Sequence, residues 1–114
     1  MNKEVLSISQ MEHLQELGLD TSKASCYIWE AEGKEYLYWG KCEDANGIPT
    51  FTLPDILELL PKEICGNEIT IYHHRNYWSI YYYGIYSVEN KSLIDAAYEM
   101  LCCCAENGDI KERK

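Results

Sequence analysis

Residues 26–40 read CYIWEAEGKEYLYWG, and this stretch decides the fold class. Two runs rich in aromatic and aliphatic residues, 26–31 and 35–41, flank the turn residues Glu32-Gly33-Lys34. Aromatic and β-branched residues favour strands, and a short glycine-containing turn between two such runs is typical of an antiparallel hairpin. The stretch therefore predicts two paired strands.

A second hairpin and three helices are predicted around the first hairpin. Residues 68–73 and 77–83 flank the turn at 74–76, and a loop at 42–49 separates the hairpins. Thr52 and Ser92 each precede an apolar stripe and an aspartate three residues later, which is typical of a helix N-cap. An earlier helix, capped by Ser9, is predicted where Met11, Leu14 and Leu17 recur at helical spacing before Gly18. The order of elements is α-ββα-ββα.

This order predicts an α+β fold, in which the four strands form one antiparallel sheet with helices packed on it. The matching order of the two ββα units suggests an internal duplication. At 114 residues the chain has the size of a single domain. Its predicted parts are an N-terminal helical segment (1–25), a first ββα unit (26–65), a second ββα unit (66–108) and a short tail (109–114).

The charge balance excludes some classes of partner. The chain has 19 acidic and 10 basic residues, a formal net charge of −9. That charge repels phosphate backbones and anionic lipid, so we expect neither nucleic-acid nor membrane binding. Residues 1–10 lack the pattern of a signal peptide, and no stretch has the roughly 18 apolar residues of a membrane span. These features predict a cytoplasmic protein with six reduced cysteines.

Three segments resemble a known kind of protein. They are LGLDTSKAS at 17–25, TLPDIL at 52–57 and LIDAAYEMLC at 93–102. Together they resemble small uncharacterised bacterial proteins of gut commensals and of their phages or mobile elements. The resemblance covers most of the chain but rests on helix caps and apolar stripes. It implies no known activity and points to an accessory protein of a mobile element.

Strand alternation sorts the side chains of both hairpins into two sets. The set expected to face the helices is Ile28, Leu37, Trp39, Ile69, Ile71, Trp78, Ile80 and Tyr82. The opposite set is rich in rings and is the candidate binding face: Tyr27, Trp29, Tyr36, Tyr38, Tyr72, Tyr77, Tyr81 and Tyr83. Rings with polar tips are enriched at protein interfaces. We therefore expect a non-enzymatic interaction or accessory protein, with a homodimer as one form.

Other interpretations stay open at this point. The first helix or a second copy could cover the tyrosines as ordinary structure, and the acidic chain could act as a decoy for a DNA-binding protein. A small enzyme using Cys103 or His74 is the third alternative. Cys102, Cys103 and Cys104 are adjacent on a predicted helix and point in different directions, so they predict buried or interface thiols. No catalytic residue, cofactor or metal site is predicted.

Overall fold

The computed structural model describes residues 5–40 and 47–110. Its elements are α1 (Ile8–Glu16), β1 (Cys26–Ala31), β2 (Lys34–Trp39), β3 (Ile48–Thr50), α2 (Leu53–Leu59), β4 (Glu63–Ile64), β5 (Asn67–His73), β6 (Trp78–Tyr82), β7 (Tyr86–Asn90) and α3 (Leu93–Glu106). The strands form two antiparallel sheets, ordered β2-β1-β3 and β4-β5-β6-β7. The predicted α+β class and a four-stranded antiparallel sheet with helices are confirmed. Predictions for 41–46 and 111–114 lie outside the described residues.

The two hairpins do not share one sheet. Each hairpin gains strands from segments in which no strand was predicted: β3 joins the first, and β4 and β7 join the second. β3 contains Pro49, which weakens a strand signal, and β7 is short and half polar. β1 is central in the first sheet, whereas β6, the second strand of its hairpin, lies between β5 and β7. The two units therefore do not repeat one arrangement.

The helix caps are the predicted residues in α2 and α3, whereas the cap of α1 differs. Thr52 and Ser92 accept hydrogen bonds from the backbone of the residue three positions later, as expected. The first helix starts earlier than predicted, because Ser7 and Gln10 form the capping box instead of Ser9. Gly18, at φ +90°, ends α1, and the next amide bonds back to Leu14. This pattern is the Schellman motif, which favours glycine.

The core lies between α3 and the inner face of β6 and β7. Ile80, Tyr82, Met100, Leu101 and Cys104 are fully buried there. The Tyr82 hydroxyl donates a hydrogen bond to the Pro61 carbonyl oxygen at 2.6 Å. Burial of Ile28, Ile80 and Tyr82 agrees with the predicted inward set.

Three members of the predicted inward set are exposed. Leu37 and Trp39 lie on β2, all of whose residues are exposed, and Ile71 lies on β5. The reason is the position of α3, which packs on β6 and β7 and leaves both the first hairpin and part of β5 uncovered. Leu57, one of the leucines of α2, is also exposed.

Asp55 ties the start of β1 to the start of α2. Its carboxylate accepts hydrogen bonds from the Ser25 amide and hydroxyl and from the Thr52 amide, at 2.5–3.0 Å. Partial burial opposes ionisation of Asp55, but these hydrogen bonds outweigh it and hold its pKa below the ordinary 3.8. These hydrogen bonds fix the position of the first hairpin relative to α2.

Changing Asp55 to Asn should lower the free energy of unfolding by about 1–2 kcal/mol at pH 7. Because the folded-state pKa is depressed, the stabilisation is present above the unfolded-state pKa and is lost as the pH falls through the folded value. Urea unfolding at pH 7 and pH 3 should therefore show the difference between wild type and variant shrinking at pH 3. Glu58→Gln, an exposed change on the same helix, is the control. A pH-independent difference would contradict this account.

Candidate functional site

The candidate site is built on the β1–β2 hairpin. A two-residue turn joins the strands, with Glu32 at φ +54° and Gly33 at φ +78°. Positive φ at both positions defines the type I′ turn, whose twist matches that of the strands. Ala31 and Lys34 close the turn, so β2 starts one residue earlier than predicted.

One face of this hairpin carries four rings, Tyr27, Trp29, Tyr36 and Tyr38, which we call the ring face. Tyr27 lies opposite Tyr38 in the ladder, and Trp29 lies opposite Tyr36. The Tyr27 and Tyr38 rings stack at a centroid distance of 5.4 Å, and Trp29 lies 6.2 Å from Tyr38. Trp29, Tyr36 and Tyr38 stay exposed in spite of these contacts. Strand alternation thus placed these four residues on one face as predicted.

The opposite face of β2 also carries two exposed apolar residues. Leu37 is exposed, and Trp39 is 66% exposed. Trp39 forms one wall of an open cleft of about 590 Å³ between the starts of α2 and α3, where Leu53, Pro54 and Leu93 also contribute. The hairpin therefore presents large apolar side chains on both of its faces.

The sheet edges are protected unequally. Directly after β3, the Leu6 amide donates to the Phe51 carbonyl oxygen and Val5 bridges to Thr52, so the N-terminal segment pairs with the chain there. In the other sheet β4 pairs only with Asn67 and Glu68 at the start of β5, and β7 packs against α3. No described strand pairs with the outer edge of β2, which is six residues long. A long, unpaired edge is a template for pairing with another chain.

The other four predicted site residues lie elsewhere. Tyr72 and Tyr81 are on the outer face of the four-stranded sheet, in a different sheet from the ring face. Tyr77 precedes β6 and stacks on His74 at 4.3 Å, and Tyr83 lies in the β6–β7 turn with 78% of its surface exposed. The predicted eight-ring face is therefore divided, and only the four rings of the first hairpin form one group. Sequence alternation could not reveal this, because it does not say which hairpins share a sheet.

His74 and Ser79 form the contact that most resembles a catalytic pair. The His74 Nε2 and the Ser79 Oγ are 2.8 Å apart, but the Ser79 side chain is buried. Tyr72 and Tyr77 lie against the imidazole, and no described carboxylate is hydrogen-bonded to it. A serine nucleophile needs access to substrate and an oriented base. The contact is better explained as packing of the turn onto the sheet.

The cysteines do not favour thiol catalysis. Cys102 and Cys104 are buried, and Cys103 is half-buried. Burial, followed by the nearby Cys103 and Asp109, raises the pKa of Cys104 to about 12. Burial, together with Glu106 and Asp109, also raises the pKa of Cys103. A raised pKa leaves little of the reactive thiolate at neutral pH.

Iodoacetamide at pH 7 should therefore modify the exposed Cys65 well before Cys103 and Cys104. Mass spectrometry of the native protein over time would give the order of modification, and unfolded protein is the control, in which all sites become accessible. Preferential labelling of Cys103 would revive the enzyme hypothesis.

The described residues offer neither a metal site nor a membrane-spanning helix. Within residues 5–40 and 47–110, no group of three or more His, Cys, Asp or Glu side chains is arranged to hold a metal ion. No helix in the described part of the chain is both long and apolar enough to cross a membrane. Comparison with protein families, curated proteins and solved structures gives no match. The resemblance to small bacterial proteins stays a prediction.

Proposed function

We propose that this chain is a non-enzymatic protein-interaction domain that binds a second copy of itself through the β1–β2 hairpin. The carrying observation is the concentration of exposed apolar surface on that hairpin. Nine large apolar side chains are exposed among the described residues, and five of them lie there: Trp29, Tyr36, Leu37, Tyr38 and Trp39. Isolated exposed apolar residues are ordinary, but a concentration of them on one hairpin indicates a contact surface.

The charge distribution leaves one neutral stretch at which a second copy can approach. The chain has a net charge of −9, so two copies repel each other over most of their surfaces. The four residues from Tyr36 to Trp39 carry no charge, and the acids of the hairpin, Glu30, Glu32 and Glu35, lie near its turn. A symmetric dimer uses the same patch on both partners, and this neutral patch is where like-charged copies can meet. A cytoplasmic location and an accessory role for a mobile element complete the proposal.

Analytical ultracentrifugation of the wild type tests the proposal. The expected result is a concentration-dependent shift from the 13.3 kDa monomer to twice that mass. Added salt screens the repulsion between two acidic copies, so the dimer should become more stable as NaCl is raised. A monomer at every concentration and salt level would refute self-association.

A further inference from the structure

The open edge of β2 has a defined set of free backbone groups. The Gly40 amide donates to the Ser25 carbonyl oxygen at 2.8 Å, and these two residues form the next pair of the ladder after Cys26 and Trp39. Because hydrogen-bonded and non-hydrogen-bonded pairs alternate along an antiparallel ladder, Tyr38 and Tyr36 also bond towards β1. The residues that alternate with these, Glu35, Leu37 and Trp39, therefore direct their N–H and C=O groups away from β1. These six groups form the open edge.

We infer that two copies pair antiparallel along this edge with Leu37 on the two-fold axis, an inference that rests on the proposed self-association. Antiparallel pairing of two identical strands is two-fold symmetric about its central residue. A centre at Leu37 places the sequence Tyr36-Leu37-Tyr38 opposite itself. Leu37 then lies opposite Leu37 of the second copy, and Glu35 lies opposite Trp39. All three outward-facing residues of each strand are paired in this register. The result is a continuous six-stranded sheet.

This register extends the ring face across the junction. Tyr36 of each copy lies opposite Tyr38 of the other in non-hydrogen-bonded pairs, the pairs in which side chains come closest. Tyr38 already stacks on Tyr27, and Tyr36 already lies opposite Trp29. Eight rings would thus form one array across four strands. Aromatic cross-strand pairs are among the stabilising contacts of a sheet.

The same register keeps like charges apart. Shifting the axis to Glu35 would place two carboxylates opposite each other, which destabilises a sheet. With Leu37 on the axis, the two Glu35 side chains are four residues apart along the strand direction, about 14 Å. That separation exceeds the screening length of about 8 Å at physiological salt. Glu30 and Glu32, nearer the turn, are farther still from their counterparts.

Substitutions at Leu37 test the edge pairing. Leu37→Pro removes an amide that points away from β1, so the hairpin should survive, as proline is tolerated on a free edge. Dimerisation should weaken at least about 100-fold, because the central hydrogen bonds of the junction are lost. Leu37→Lys keeps the backbone intact and places two like charges on the axis, with the same expected loss. Circular dichroism and thermal melting check the fold of both variants.

A cross-linking experiment tests the register. In a background with Cys42 and Cys65 changed to Ser, Leu37→Cys should be joined to its counterpart by a short bismaleimide, since paired residues are about 5.5 Å apart. Trp39→Cys should not be cross-linked, because the same residue of the second copy is about 14 Å away. Full-strength dimers of folded Leu37→Pro and Leu37→Lys, or equal cross-linking at both positions, would overturn this arrangement while leaving self-association intact. A monomeric wild type would instead refute the proposed function.

Discussion

Changing Tyr82 to Ala should lower the free energy of unfolding by about 3–5 kcal/mol, the loss typical of emptying a large aromatic site in a core. Tyr82 is fully buried in the main core cluster, and its ring meets the Tyr86 ring edge-on at 6.4 Å. The hydroxyl bond to the Pro61 carbonyl oxygen ties the sheet to the segment after α2. Since a domain of this size is stabilised by roughly 5–15 kcal/mol, the loss is a large share of the total. Equilibrium urea unfolding would measure it.

Two further variants show how much of that loss comes from the hydroxyl and provide a surface control. Tyr82→Phe removes only the hydroxyl and should cost about 1 kcal/mol. Tyr83→Ala truncates the neighbouring ring, which is 78% exposed, and should change stability by less than about 0.5 kcal/mol. Equal effects at positions 82 and 83 would mean that the assignment of core and surface on β6 and its turn is wrong.

Changing Tyr36 and Tyr38 together to Ser should weaken self-association by at least about 100-fold. Truncating a central ring of an interface costs about 2 kcal/mol or more, and each 1.4 kcal/mol is about tenfold in affinity. Both rings are exposed in the single chain, so the fold should lose much less stability than the dimer does. Sedimentation equilibrium gives the change in the dimer dissociation constant, and a thermal melt of dilute protein reports the fold.

The matched control is Tyr81→Ser with Tyr83→Ser. It removes the same number of tyrosines from the outer face of the four-stranded sheet and its adjoining turn. Its dissociation constant should stay close to that of the wild type. If this control weakens the dimer as much as the Tyr36 and Tyr38 changes, general loss of apolar surface would explain the effect, and the hairpin would have no special role.

Local signals in the sequence predicted local structure well. The turn at Glu32-Gly33, the caps at Thr52 and Ser92, and the Gly18 stop each depend on neighbouring residues, and each appears in the structure. Alternation also predicted which side chains share a face within one hairpin, because that depends only on the pleat. The four residues of the ring face were identified in this way.

The arrangement of the hairpins could not be read from the same signals. Whether two hairpins share a sheet depends on contacts between distant segments, and the short strands β3, β4 and β7 occupy edges that the sequence pattern did not mark. The helix that would have buried Leu37 and Trp39 packs on β6 and β7 instead. The predicted core face of the first hairpin was therefore partly wrong, and the free edge of β2 became visible only in three dimensions.

The most direct measurement is hydrogen exchange of the individual β2 amides at low and high protein concentration. In the monomer, the amides of Glu35, Leu37 and Trp39 face outward and should exchange quickly, whereas those of Tyr36 and Tyr38 are bonded to β1. Pairing of two copies should slow the outward three as concentration rises, with little change at Tyr83 and its neighbours. A dimer in which those three amides exchange as fast as in the monomer would contradict edge pairing through β2.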